Sequence, residues 1–327
     1  MWPNFIALSA FDLEFTVTAA FATDLLVGDP RWLPHPVRLI GKAADWLEAA
    51  ITRLAGRGKL AGVAFTAVIV VGTWAAAVAL VGLAASLSPL LGLLVEILLI
   101  YTALAARDLD VHSRRVFTAL AAGNLPQARA HLAAIVGRDT EPLDEPEIVR
   151  AAVETVAENT VDGVVAPLVF AILGGAPAAL AYKAVNTLDS MVGHLDVRYR
   201  SFGWASARLD DAANYLPARL ARLLFPLAAR VCRLDAAGSW RISWRDGQKT
   251  ASPNAGISEA AVAGALGVQL GGTNFYDGQP VAGPHLGDAR HPLEPRHILQ
   301  TIRLMYVVSL LSLVIGLAGR MLAWHAW

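Results

Sequence analysis

Charge is scarce in this chain. Asp, Glu, Lys and Arg make up only 17% of its 327 residues, against about a quarter in an ordinary soluble domain. With 55% hydrophobic residues, the deficit makes a lipid bilayer part of the solvent. The 27 basic and 27 acidic residues cancel, so there is no net field to hold nucleic acid. The single cysteine, Cys232, excludes an intrachain disulfide and a cysteine-built metal cluster. His112, His131, His285, His291, His297 and His325 lack zinc spacing and read as surface or interface residues. There is no Walker loop, nucleophile elbow, HExxH or dinucleotide fingerprint, and no low-complexity tract. The opening Met1–Asn4 carries no basic leader, which reads against a cleaved signal peptide.

What is present is long apolar chain. The 36 residues from 60 to 95 carry no charge. As one helix they would run roughly 54 Å, well beyond a hydrocarbon core of about 30 Å. The run must turn, and Ser86-Leu87-Ser88-Pro89 is the place, giving spans at 60–85 and 90–106. A third span covers 304–324, with Arg320 placed to snorkel and Trp324 and Trp327 as interface anchors.

Three further apolar stretches are interrupted. Residues 5–27 contain Asp12, Glu14 and Asp24, and residues 164–182 contain Pro167 and Gly174-Gly175-Ala176-Pro177. Irregular backbone at membrane depth must be covered by protein or line a wet cavity. Residues 216–231 mix Arg219, Arg222 and Arg230 with leucines around Pro226, the pattern of an interfacial basic helix. Basic residues flank the first hairpin and are missing from its tip, so the positive-inside rule puts both flanks in the cytoplasm. The expected architecture is an all-α polytopic membrane protein. One catalytic domain, 1–327, would surround a cytoplasm-facing polar site with spans and re-entrant or interfacial helices.

The polar residues gather in five clusters. A turn-rich loop, 24–38, holds Asp29, Arg31, His35 and Arg38 among three prolines, suited to an anion or simply solvated. Glu154, Glu158 and Asp162 recur every four residues, which puts three carboxylates on one helical face beside Asn159, with Gly163 a natural stop. Such a stripe suits magnesium aided by substrate phosphates; the plainer alternative is a solvated acidic face. Lys183, Asn186 and Ser190 share a third face, with Asp189 off to its side, and Lys183 is a point charge for a phosphoryl group or a snorkelling lysine. Asp210 and Asn214 share a fourth, with Asp211 beside them and Arg219 beyond; a helix N-cap is the bland alternative. Ser252-Pro253-Asn254-Ala255-Gly256, followed by Glu259 and Gly271-Gly272, allows close backbone approach to a ligand.

These stretches stand in a characteristic order. Gly28-Asp29-Pro30, Pro34–Val37, IVGRDT (135–140), AVETVAENTVDG (152–163), YKAVNTLDSMVG (182–193), ARLDDAAN (207–214) and SPNAG…GALGVQLGG (252–272) follow one another. The series resembles the membrane-bound adenosylcobinamide-phosphate synthases, the CobD/CbiB family, from about residue 20 to 305. His194-Leu195-Asp196 departs from the family pattern.

The resemblance implies an ATP-dependent amide ligase that joins adenosylcobyric acid to (R)-1-amino-2-propanol or its O-phosphate, with Mg2+ on the nucleotide. It also implies an inner-membrane setting with the bilayer as partner, and is compatible with a homo-oligomer and with other late cobalamin-pathway enzymes nearby. On that reading Glu154, Glu158 and Asp162, with Asp189 or Asp210, hold the metal. Lys183 with Arg31 or Arg38 neutralises the phosphoryl group, and Asp29 or Asp211 accepts the proton of the attacking ammonium. His35, Asn159, Asn186, Ser190, Asn214, Arg219, Ser252 and Asn254 complete the binding set. The competing classes are a transporter for an anionic solute, for which the broken segment 164–182 and intramembrane Glu96 speak, and a non-catalytic membrane sensor.

Overall fold

The computed structural model describes residues 13–30, 32, 35–193 and 198–325. Arg31, the stretch His194-Leu195-Asp196, Asp12 and Trp327 lie outside them. The described chain is overwhelmingly helical: α1 (Leu13–Val27), α2 (Pro36–Ala55), α3 (Lys59–Leu87), α4 (Pro89–Tyr101), α5 (Ala106–Ala121), α6 (Leu125–Ala133) and α7 (Glu145–Thr160) come first. A π-helical turn, Val161–Val165, precedes α8 (Ala166–Val192), α9 (Trp204–Ala213), α10 (Tyr215–Val231), α11 (Ala236–Asp246) and α12 (Ala255–Leu266). Two strands, β1 (Leu270–Tyr276) and β2 (Gln279–Leu286), stand before the last helix, α13 (Arg296–His325).

Four helical stretches are long and apolar enough to cross a membrane: Lys59–Leu87, Pro89–Ala121, Glu145–Val192 and Arg296–Ala323. Two contain the spans expected at 60–85 and 90–106, Arg296–Ala323 covers all but the last residue of the span expected at 304–324, and Glu145–Val192 contains the interrupted segment 164–182. Ser88 is extended between α3 and α4, and Pro89 opens α4 at a first-turn position where no N–H is needed. The outer face of α3 exposes Val68, Val71, Trp74, Leu80 and Leu83, as a lipid-facing helix should.

The chain gathers into two compact units. The first comprises residues 1–105, 166–214 and 313–327, the second 106–165 and 215–312. In the first, α2, α3, α8 and the α9 region share a core of Ile40, Ala44, Phe65, Ile69, Leu188 and Phe202. Gly62 lets α3 approach the Phe202 carbonyl so closely that a Cβ there would collide with it. One turn on, Phe65 meets the Phe202 ring at 5.0 Å and Thr66 shares a buried hydrogen bond with Ser206 at 2.9 Å.

The interruption in α8 is a real break. Gly174 and Gly175 leave helical geometry, Gly175 at φ 64°. The buried Glu96 of α4 fills the gap, its Oε1 2.6 Å from where a Gly175 Cβ would sit. Arg320 of α13 does not snorkel outward as expected. It donates to the Ile172 carbonyl just before the break (3.1 Å) and pairs with Glu14 of α1 (3.0 Å). A guanidinium and a carboxylate thus stand beside backbone that the broken helix would leave unsatisfied in lipid.

In the second unit α11 packs on α12 through facing glycines, Gly238 and Gly264, where either Cβ would strike the other's backbone. The strands β1 and β2 pair as an antiparallel hairpin, a small sheet beside the expected helices. Its turn is Asp277-Gly278, both at positive φ (50° and 74°), a type of turn that matches strand twist. His297 also departs from expectation: it is buried, and its Nδ1 accepts the Glu294 amide at 3.0 Å. Gly163 does not stop its helix but sits inside the π turn.

Candidate functional site

In the first unit, the third and fourth polar clusters come together. Lys183 and Asn186 project from α8, where Lys183 Nζ donates to Asn186 Oδ1 at 3.3 Å. From α9, Asn214 Nδ2 donates to Asp210 Oδ2 at 3.0 Å, and buried Tyr182 donates its hydroxyl to Asn214 Oδ1 at 2.9 Å. Asp210 Oδ1 is left buried and without a hydrogen-bond partner among the described residues. Burial pushes the Asp210 carboxyl above the usual carboxylate range; the Asn214 and Asn186 amides and Lys183 pull it back, while Asp211 adds to the rise. Asp210 and Asp211 lie in the last turn of α9, which removes the N-cap alternative.

Ser190, one turn further along α8, donates to the Asn186 carbonyl at 3.0 Å and is exposed. Asp189 is half-buried, and its carbonyl accepts the Gly193 amide at 2.7 Å. Asp211 pairs with Arg208 at 3.6 Å.

The first loop is ordered around Asp29 in the same unit. Arg38 approaches it at 3.6 Å and His35 Nε2 at 3.8 Å. His35 is also the N-cap of α2, its Nδ1 accepting the Val37 amide at 3.3 Å. Tyr101 donates its hydroxyl to the Gly28 carbonyl, tying this loop to the end of α4.

In the second unit the acidic stripe is not one uniform face. Glu154 is buried, and both its oxygens are taken: Oε2 by Arg138 at 2.6 Å, Oε1 by Arg150 at 3.2 Å and by the Gly271 amide at 2.7 Å. The two arginines also reach Asn274 on β1. Glu158, Asn159 and Asp162 are half-buried. Asn159 donates to the Thr155 carbonyl at 3.0 Å. Asp162 falls in the π turn, whose wider winding breaks the four-residue register with Glu154; such turns recur at functional sites. Glu259 of α12, which follows the fifth cluster in sequence, joins these acids. It stands close enough to Glu158 and Glu154 that burial and their charge push its carboxyl well up, against the pull of Arg138 and Arg150. A partner a hundred residues away leaves no spacing to read.

Arg219 and the fifth cluster also meet here: Arg219 Nη1 donates to Asn254 Oδ1 at 2.5 Å and Nη2 to the Pro253 carbonyl at 3.3 Å. Ser252 Oγ receives the Asn254 amide at 3.2 Å. Among the described residues, no three His, Cys, Asp or Glu side chains gather as a ready metal-ligand set.

The family described as "CobD/Cbib protein" matches residues 17–305. Cobalamin biosynthesis protein CobD of Geobacter metallireducens is 55% identical over 300 residues, covering 92% of this chain and 94% of that protein. Cobalamin biosynthesis protein CobD of Citrobacter koseri is 49% identical over 306 residues, covering 93% and 96%. Cobalamin biosynthesis protein CbiB of Salmonella typhimurium is 48% identical over 304 residues, covering 92% and 95%. No solved structure matches. A match along almost the whole chain, by a family and by relatives near half identity, makes this multi-pass membrane protein a member of the CobD/CbiB family.

Proposed function

We propose that the chain works in cobalamin biosynthesis as an ATP-dependent amide ligase, joining adenosylcobyric acid to (R)-1-amino-2-propanol or its O-phosphate. The observation that carries this reading is the polar group of Lys183, Asn186, Asp210 and Asn214, with one carboxylate oxygen held buried and unbonded.

A carboxylate does not acylate an amine at neutral pH. Its oxygen attacks the γ-phosphorus of ATP, ADP leaves, and an acyl phosphate forms. The amine nitrogen then attacks the acyl carbon, and inorganic phosphate leaves. Lys183 neutralises the transferring phosphoryl group. Asp29, steadied by Arg38 and His35, takes the proton of the ammonium, with Asp211 as the alternative acceptor. Asn186 and Ser190 line the nucleotide side. Arg219, Ser252 and Asn254 bind the amino-alcohol phosphate or the corrin side chains.

Magnesium usually takes one or two protein carboxylates and completes its shell with phosphates and water. In the first unit the orphaned Asp210 Oδ1 fits that need, with Asp189 as the other candidate donor; Glu158 and Asp162 of the second unit are a separate, alternative pair. Bound there, the ion would neutralise the nucleotide phosphates. Glu154 has no oxygen to spare, so its proposed part is to hold Arg138, Arg150 and the hairpin. The transporter reading loses its main support, because Glu96 and Arg320 account for the break in α8 as structure.

The test is to incubate the detergent-solubilised protein with adenosylcobyric acid, ATP, magnesium and aminopropanol phosphate, reading products by mass spectrometry. Wild type should yield amidated corrinoid, and Asp210→Asn should yield it at least about 100-fold more slowly. Product at equal rates would keep the ligase and remove Asp210 from its site. No product from folded wild type would end the ligase reading.

A further inference from the structure

A guanidinium is the most awkward group to bury alone, because it stays charged and carries five donors. Arg222 of α10 is 3% exposed, and its Nε and Nη2 have no hydrogen-bond partner among the described residues. Those two nitrogens form one edge of the guanidinium, the fork that grips two oxygens of an oxyanion side-on. The plane is held by stacking: the guanidinium carbon lies 4.2 Å from the Trp244 ring centre, and Trp244 meets Trp240 edge-on at 5.6 Å. Stacking satisfies a face and leaves the donor edge unmet.

A second cation makes the lone charge costlier. Arg219, one turn earlier, is fixed by Asn254, by the Pro253 and Tyr215 carbonyls and by the Tyr215 ring at 3.6 Å. Burial and the neighbouring Arg219 charge both push Arg222 below its ordinary basicity. The surrounding surface is apolar and exposed. Leu216, Leu223 and Leu227 form a stripe along α10, and Trp240 and Trp244 stand at 44% and 55% exposure on α11. Amphipathic leucine and tryptophan faces of this kind lie at the level of lipid headgroups.

We propose that Arg222, stacked on Trp244, binds a phosphoryl oxyanion through the Nε and Nη2 edge of its guanidinium, an edge that is covered here and opens at the surface of α10 and α11 when the side chains over it move aside. The phosphoryl group belongs either to a phospholipid headgroup or to a soluble phosphate. The inference rests on the second unit's own geometry and is independent of the ligase reading.

Thermal unfolding of the full chain in detergent tests it, with inorganic phosphate, short-chain phosphatidylglycerol or short-chain phosphatidylcholine added. Ligand at about ten times its dissociation constant should raise the wild-type Tm by roughly 2–4 °C. Arg222→Met keeps the volume and should lose the shift. A shift with phosphate itself identifies a soluble phosphoryl ligand. A shift with phosphatidylglycerol and none with phosphate identifies a headgroup, and phosphatidylcholine shows whether net lipid charge is needed. If Arg222→Met does not fold, Arg222→Lys serves, since it keeps the charge without the fork and should lose most of the shift. Absence of any shift in wild type, or equal shifts in wild type and variant, overturns the proposal. Ligase activity is not read, so its failure leaves this result standing.

Discussion

Glu154 and Asp210 are equally prominent acids in the sequence, each inside a polar cluster beside apolar chain, yet their surroundings are opposite. Glu154, in the second unit, has each oxygen met by an arginine and one also by a backbone amide. Asp210, in the first, keeps one oxygen buried without a partner, and burial holds its carboxyl above the usual range. A saturated carboxylate is part of the frame. An unsaturated one costs folding free energy, and that cost is understandable where a ligand later removes it.

The contrast is broken most directly by removing each charge. Glu154→Gln leaves two buried guanidinia without their counter-ion and should cost about 3–5 kcal/mol. Asp210→Asn should leave the Tm at pH 7 unchanged or higher. A group whose folded pKa is raised contributes stability below its unfolded pKa and loses it as pH rises through the folded value. Once ionised, Asp210 is therefore a liability that asparagine removes. Denaturant unfolding of both variants in detergent checks this, and the reverse order of stabilities would end the frame-versus-site distinction.

A buried acid outside both clusters sharpens the comparison. Asp246, on α11, is fully buried and bonds Arg245 at 2.7 and 2.8 Å, Lys249 at 2.6 Å and the Gly287 amide at 2.8 Å. Arg245 above all, then Lys249 and that amide, hold its carboxyl far below the usual range. The sign is opposite to that of Asp210. This stability is present above the unfolded pKa, near 3.8, and is lost as pH falls toward the depressed folded value. Asp246→Asn should therefore be less stable than wild type by about 2 kcal/mol at pH 7, with the gap closing in strong acid. A gap that stays constant with pH would show that shape rather than charge sets the effect.

Much of this was legible in the sequence, for reasons that differ by feature. Uncharged runs and the Ser88-Pro89 turn placed the spans, because a bilayer fixes helix length. Three- and four-residue spacings put Lys183 beside Asn186 and Asp210 beside Asn214, because helix geometry is local. Which faces meet is not local. That α8 turns its polar face to α9, that Arg138 comes to Glu154, and that Glu259 faces Glu158 are facts of tertiary packing between residues 16 to over 100 positions apart. The role of Arg320 was missed for the same reason: a lone arginine near a span end looks free until Glu14 and the Ile172 carbonyl arrive from elsewhere. The hairpin was the avoidable miss, since Asp277-Gly278 between extended runs is a local turn signal.

That hairpin gives the smallest and cleanest test of the frame. Gly278 sits at its tip with φ 74°, and a Cβ there would meet nothing within 4 Å. Gly278→Ala thus isolates the backbone cost of left-handed geometry, about 1 kcal/mol. Gly271, at φ 78°, donates its amide to Glu154, and a Cβ there would run into the Pro284 carbonyl. Gly271→Ala should cost clearly more, because it strains the turn of chain and disturbs the Glu154 network together. Combined with Glu154→Gln it should be less than additive, since both act on one network. Full additivity in a double-mutant cycle would mean that β1 and Glu154 are neighbours without being coupled, and the saturated carboxylate would no longer count as the hairpin's anchor.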